Sequence, residues 1–378
     1  MGHSVNRERN KFMATRSSTT TKLLFVGALI TLSVQALGKF TPAADPLAHT
    51  WGMELERNID RLPDEGGLDE KKFPWAEARF PSAEGLLLNR YQREDLPLEE
   101  RARKRPLRLE EIKALSPARR TEEMSKFAPA EIFDIVRGLT ATYPLTMEIH
   151  RLLTRPNPES NYAELDEKMS FGWAAASTSF MEPAQRSDYK IRFAEGTEAT
   201  FSVGSADVKG LAAYYYGVKV PNLVKIAKVG SRCHGPADVA CRRIDPASFH
   251  ILLTNMIKRD GHSFIADIDP SAKVDYRPIV GYKTDVRFED EGYYTVQTTV
   301  QFAKRRLPFA KPYGIFNLDS DEETYRYTLE VDAEHGITRG DWLSERRPEF
   351  VWRVREMPIV DHEGFSALKS LYQESPIK

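Results

Sequence analysis

Apolar and polar positions alternate with period two in four stretches of the second half of the chain. These are EATFSV (198–203), GHSFIADID (261–269), YYTVQTTVQF (293–302) and TYRYTLEVD (324–332). They are rich in β-branched and aromatic side chains, which predicts strands of an antiparallel sheet. Between the first two the period lengthens. Phe249, Leu252, Leu253 and Met256 fall on one face of a helix. Asp245-Pro246 supplies its N-cap and first position, and Gly261 marks its end. Upstream, APAEIFDIVRGL predicts a second helix, opened by Pro129 and closed near Gly138. The Ala-rich segment DEKMSFGWAAASTSFMEP (166–183) predicts a third, buried one, with Gly172 allowing close backbone approach. No internal repeat is present. Helices followed by a mostly antiparallel sheet place the chain in the α+β class.

The first third reads differently. Leu23–Val34 is an almost unbroken apolar run behind Arg16 and Lys22, followed by Val34-Gln35-Ala36. Twelve helical residues rise only about 18 Å, short of a bilayer core of ~30 Å. Residues 1–36 therefore read as a secretory signal cleaved after Ala36, leaving a mature chain with no membrane anchor. Residues 37–120 are charged and punctuated by proline, without strand periodicity. They predict an extended or loosely helical linker or pro-segment ahead of a globular domain at 121–378. Basic and acidic residues nearly cancel (54 against 55), which removes the one-signed basic face that a nucleic-acid partner requires. No N-x-Ser/Thr sequon occurs, so N-glycosylation is not expected.

Candidate chemistry begins with the two cysteines, Cys233 and Cys241. In an oxidising compartment a lone pair most simply forms one disulfide. A metal site needs further ligands at regular spacing and only His234 is near; Cys233 with His234 could also form a nucleophile and base. His250 sits near the start of the 245–261 helix, and the following strand brings back Asp267, a possible base and orienter. A nucleophile then belongs upstream, at the start of a helix whose free N–H groups favour an anion, and Ser170 is the candidate. Asn317, Asp319 and Asp321 alternate like cation ligands, but the glycine and distal glutamate of a full calcium loop are missing. Tyr214, Tyr215 and Tyr216 fit core packing better than a binding platform.

Five blocks carry a family resemblance: GWAAA…MEP, GSADVKGLAAYYY, GSRC…DVACRRIDPASFHILLTN, SFIADIDPSAKVDYRPIVGYK and YRYTLEVDAEHGITRGDWLSERRPEFVW. In this order, over residues 166–352, they resemble the secreted calcium-dependent transglutaminases of oomycetes, the transglutaminase-elicitor family. The resemblance implies a papain-like α+β fold and calcium as a cofactor. It also implies transfer of an acyl group from protein-bound Gln to a Lys amine. The partners it implies are proteins bearing Gln and Lys, host or cell-wall proteins among them, and the location is extracellular or cell wall. Family members read C-H-G-W-A-P-A where this chain reads Ser170-Phe171-Gly172-Trp173-Ala174-Ala175-Ala176. The family's His and Asp positions match His250 and Asp267. The resemblance also places Cys233 and Cys241 in the family's cysteine-bearing loop. Its surface elicitor stretch, similar to VWNQPVRGFKV, matches at Val274, Pro278, Gly281 and Lys283, with Asp275 where the family has Trp.

A thiolate is the family's nucleophile. A serine must lose its proton during attack and leaves an ester that an amine opens less readily than a thioester. Three readings follow: a transglutaminase-like interaction protein with little activity, a working Ser170–His250–Asp267 acyl-transfer triad or serine hydrolase, or a nucleophile at Cys233.

Overall fold

The computed structural model describes residues 45–90, 109–192, 198–232, 242–268, 274–290, 292–309, 311–357 and 363–371. The signal-like segment and both cysteines, with their expected disulfide, lie outside the described residues.

The alternating stretches pair into one antiparallel sheet. Its strands are β5 (Lys225–Gly230), β6 (Ile265–Asp267), β7 (Tyr276–Asp290), β8 (Tyr293–Ala303), β10 (Ser320–Val331), β11 (Ile337–Arg339) and β12 (Phe350–Glu356). The order is β11-β10-β8-β7-β6-β12-β5, and β1 (Glu65–Gly67) pairs with β7 off this path. One period-two stretch was expected here and is not a member. β4 (Glu198–Val203) pairs only with β3 (Arg186–Arg192), as a separate hairpin. A short parallel pair joins β2 (Glu77–Ala78) to β9 (Arg305–Arg306).

The helices are α1 (Pro46–Trp51), α2 (Leu109–Lys113), α3 (Pro117–Ser125), α4 (Pro129–Val136), α5 (Pro144–Leu153), α6 (Pro158–Ser179), α7 (Ser205–Tyr214), α8 (Pro246–Leu253) and α9 (Glu363–Leu371). α8 follows its sequence signals closely. Asp245 caps it by accepting from Ser248 N–H at 2.8 Å, and Gly261 adopts the left-handed conformation at φ 66° after a π-helical extension.

Two apolar cores lie on opposite faces of the sheet, because successive strand side chains point to opposite sides. One face carries Ala266, Ile279, Val296, Val300, Tyr325, Tyr327 and Val351, packed against α1 and α8. The other carries Ile265, Val280, Ala303, Phe350 and Trp352, packed against α4, α5, α6 and α7. On that second side Gly172 of α6 meets Gly217 directly. A Cβ on Gly172 would lie 1.9 Å from the Ala213 carbonyl oxygen, and one on Gly217 would lie 1.9 Å from that of Lys168. The close approach expected of Gly172 is thus a contact between α6 and the π-helical extension of α7, Tyr215–Lys219, that only glycines permit. Tyr214, Tyr215 and Tyr216 are all buried in this core.

The region expected as a linker or pro-segment at residues 37–120 is packed into the domain where it is described. Residues 45–90 contribute to both cores. Trp51, Leu55 and Ile59 fill the α8 core, and Trp75, Leu86 and Leu87 fill the α6 core. Trp75 is pinned twice: its indole N–H donates to the Phe180 carbonyl at 3.1 Å, and its own carbonyl accepts the indole N–H of Trp173 at 3.0 Å.

Candidate functional site

A cleft of about 620 Å3 opens between α6, the β2–β9 pair and the entry to β7, and Ser170 lines it. Trp75 and Trp173 form its apolar floor, while Glu77, Asp275 and Arg305 form a polar wall. The β2–β9 register sets Glu77 directly beside Arg305. Arg305 forms two ion pairs, its Nε 2.7 Å from Glu77 Oε2 and its Nη2 2.7 Å from Asp275 Oδ1. The same Nη2 reaches Ser170 Oγ at 3.4 Å. Burial pushes the Glu77 carboxyl pKa up, against the opposing pull of Arg305. Burial also works against the Arg305 charge, but Glu77 and Asp275 outweigh it and hold the guanidinium firmly protonated. Deeper in the cleft, Lys209 donates to Glu182 at 2.5 Å and lies 3.6 Å from the centroid of the Tyr313 ring. Burial brings its pKa down to about 8.

Ser170 is only 4% exposed and lies past the midpoint of the 22-residue α6, not at a helix start. Nothing between Pro158 and Ser170 breaks the helix, so the backbone N–H groups at this point belong to the helical ladder. They are not free to hold an anion, as those of a first turn would be.

Asp267 lies on the same side of the sheet. It pairs across the strands with Tyr276 and Phe350, on the face that meets α6. Phe171, the residue after Ser170, stacks on Trp352 at 4.9 Å and meets the edge of Tyr276 at 6.0 Å. Asp267 Oδ1 accepts the Asp275 backbone N–H at 3.0 Å, and Oδ2 lies 3.8 Å from Arg232. Ser170 and Asp267 are therefore joined through Arg305, which the sequence did not single out, and Asp275, which it marked only as a departure within the elicitor-like stretch.

His250 is on the other face. It is 2% exposed and shares a 2.8 Å hydrogen bond through Nδ1 with the Tyr327 hydroxyl. Tyr327 is bonded in turn to Thr298 at 2.8 Å, and Thr298 to Thr284 at 3.1 Å. Burial pulls the imidazole pKa down to about 4. Of the three candidate residues, the structure groups Ser170 with Asp267 and sets His250 across the sheet, in a buried polar chain of its own.

The elicitor-like stretch is not a surface segment here. It enters β7, a strand inside the sheet with β1 paired along it; Pro278 and Gly281 are buried, Val274 is half-buried and Lys283 is exposed. The calcium-like trio does not converge on one point but is drawn into separate pairs. Asn317 accepts from Ala76 N–H at 2.9 Å and donates to Glu182 at 2.7 Å. Asp319 pairs with Arg306 at 2.5 Å, and Asp321 pairs with Arg277. Among the described residues no group of three or more His, Cys, Asp or Glu is arranged to hold a metal ion, and no helix is long and apolar enough to cross a membrane.

No family model matches the chain, and no curated protein matches it. Its fold is similar to that in the crystal structure of the GP42 transglutaminase from Phytophthora sojae. The two share 14% identity and a TM-score of 0.59 over 86% of this chain and 95% of that one. The chain therefore has a transglutaminase-like α+β fold, helices against a mostly antiparallel sheet, and at this identity the likeness is one of fold alone.

Proposed function

We propose that this chain is a secreted transglutaminase-like protein that uses its cleft to recognise an extracellular or cell-wall protein and does not transfer glutamine acyl groups to amines. One observation carries this reading: the group beside Ser170 is the guanidinium of Arg305, at 3.4 Å. A general base must accept the nucleophile's proton. A guanidinium has no acceptor atom and stays charged throughout the accessible pH range. Its neighbours Glu77 and Asp275 are both occupied in holding it. The imidazole proposed for the role, His250, is paired with Tyr327.

The experiment is an amine-incorporation assay with calcium, which the family resemblance implies, a Gln-bearing protein and a fluorescent primary amine. The native chain is expected to incorporate no label, and Ser170→Cys is expected to gain none, since a thiol there still lacks a base. Incorporation by the native chain that disappears in Ser170→Ala would overturn the proposal in favour of an enzyme. The recognition arm uses Glu159→Lys, a charge reversal at the exposed rim of the cleft. Immobilised native chain is expected to retain wall proteins that this variant does not.

A further inference from the structure

The two edges of the main sheet differ. At one edge β11 is covered: Ile337 N–H donates to the Arg57 carbonyl at 2.9 Å, Ile59 N–H donates to that of His335 at 3.0 Å, and Asn58 bridges to Gly336. At the other edge stands β5, whose only strand partner among the described residues is β12. Outside that ladder, Lys225–Gly230 makes no backbone hydrogen bond among the described residues. In an antiparallel edge strand alternate residues turn both N–H and C=O outward, so part of the β5 backbone is left to solvent. Lys225, Ile226 and Lys228 are exposed, and so is Leu223 just ahead of the strand. The charge around this edge is basic. Residues 215–232 carry Lys219, Lys225, Lys228 and Arg232 and no acid. Lys219 is paired with Glu148 at 2.7 Å, and Arg232 and Asp267 offset each other at 3.8 Å. Lys228 lies 3.6 Å from the centroid of the Phe350 ring. β12 adds Arg353 and Arg355 behind the edge. The acids that face this group are Glu356, opposite Lys225, and Asp260, which acts on Arg353. Lys225, Lys228, Arg353 and Arg355 outnumber those two acids by two to one.

We propose that β5 is a strand-addition site, at which an extended acidic segment of another protein lengthens the sheet by one strand. In such complexes main-chain hydrogen bonds give the affinity and alternate side chains give the selectivity. The six residues of β5 offer an edge of about 20 Å. The charge decides which strand can use it. A second copy of this chain is disfavoured, because pairing β5 with itself sets lysines against lysines. An acidic strand meets attraction at the same positions. Ile226 lies opposite Val354 in the ladder and is exposed. With Leu223 it gives the incoming strand an apolar contact, which an edge built only to repel other strands would not present. No residue of β5 lines the Ser170 cleft, so the site stands apart from the recognition assigned to that cleft.

The test titrates the full chain into the fluorescein-labelled peptide Thr-Glu-Val-Thr-Val-Glu-Thr, read by anisotropy, with hydrogen exchange to locate the contact. Saturable binding is expected, with slowed exchange of amides in residues 225–230. The basic peptide Thr-Lys-Val-Thr-Val-Lys-Thr should bind at least ~10-fold more weakly. Methylating the backbone nitrogens of the acidic peptide leaves its charge and side chains unchanged and removes its donors, and should abolish binding. Lys225→Glu, at an exposed position, should weaken the acidic peptide by ~5-fold and strengthen the basic one. The peptide arms decide the matter even if that variant is poorly folded. Absence of saturable binding, equal affinity for the two peptides, undiminished binding of the methylated peptide, or protection confined to the Ser170 cleft would overturn the proposal. Self-association of the chain with protection of β5 in the absence of peptide would overturn it too, by giving the edge to a second copy.

Discussion

Replacing Arg305 by Met removes the cation that three groups share and keeps much of the side-chain volume. Glu77 and Asp275 each lose a partner at 2.7 Å. Two unit charges at about 4 Å interact by ~4 kcal/mol at an effective dielectric of 20, and removing one partner of a buried pair costs ~3–5 kcal/mol. The Arg305 side chain is 30% exposed and that of Asp275 is 22% exposed, so solvent screens part of this. The expected loss near pH 7 is about 2–3 kcal/mol. It should depend on pH in a defined direction. The Glu77 pKa is already raised from 4.5 by burial, with Arg305 the largest opposing influence. A raised carboxyl favours the folded state when protonated, so its contribution is complete below pH 4.5 and is lost as pH climbs through the folded value. Without Arg305 that value moves higher still. The gap between native and variant should therefore be small near pH 4 and widen toward pH 7. Urea melts at half-unit steps between pH 4 and 7.5 measure it. A gap that stays constant with pH, or closes toward neutrality, refutes the assignment of Arg305 as the counter-ion of Glu77.

Three further outcomes are expected. Gly172→Ala forces a methyl to within 1.9 Å of the Ala213 carbonyl oxygen, so backbone must move; a loss of about 3 kcal/mol and a clear drop in melting temperature should follow. His250 is held neutral, its pKa near 4 against 6.5 when unfolded. Its contribution is complete above pH 6.5 and is lost as pH falls toward 4, about 3 kcal/mol in all, and the stability slope in that window should flatten in His250→Gln. Tyr327→Phe deletes the hydroxyl that links His250 to Thr298; a destabilisation of about 1–3 kcal/mol with no change in amine incorporation is expected from melts and from the labelling assay.

What the chain revealed before its structure depended on periodicity. β8 and β10 were legible because a regular two-residue alternation runs the length of each. α8 was legible because Asp245, Pro246 and Gly261 each have one conformational role there. Residues 45–90 were opaque for the converse reason. Their buried side chains, such as Trp51, Ile59, Trp75 and Leu87, follow no period, because the segment runs through short turns and single docking contacts. β4 shows the limit of a local signal: alternation predicts a strand but not its partner. The site was half legible. Ser170 and Asp267 do lie on one side of the sheet, yet Arg305 was invisible, being the middle of a basic run at a strand end that reads as surface. The placement of His250 failed on parity. In β6 both faces are apolar and buried, Phe264 and Ala266 on one side and Ile265 on the other, so alternation could not say toward which helix Asp267 points.

That parity also bears on activation. One could imagine calcium or a partner drawing His250 to the Ser170 side. Side-chain rotation cannot achieve it, since the sheet lies between them. Moving Asp267 to the His250 face would require β6 to slip by one residue, which turns every side chain of the strand over. Moving α8 instead would expose Phe249, Leu252 and Leu253, all fully buried, at ~1.5–3 kcal/mol each. The sum is about 5–9 kcal/mol before any polar group is counted. A ligand can shift an equilibrium only by its differential affinity for the two states, and reversing even a 1:99 ratio takes ~5.5 kcal/mol. A triad assembled from these three side chains therefore lies beyond ordinary ligand-driven rearrangement. Among the described residues, acyl-transfer chemistry at Ser170 would have to use groups already facing the cleft, and there the guanidinium of Arg305 lies 3.4 Å from the hydroxyl.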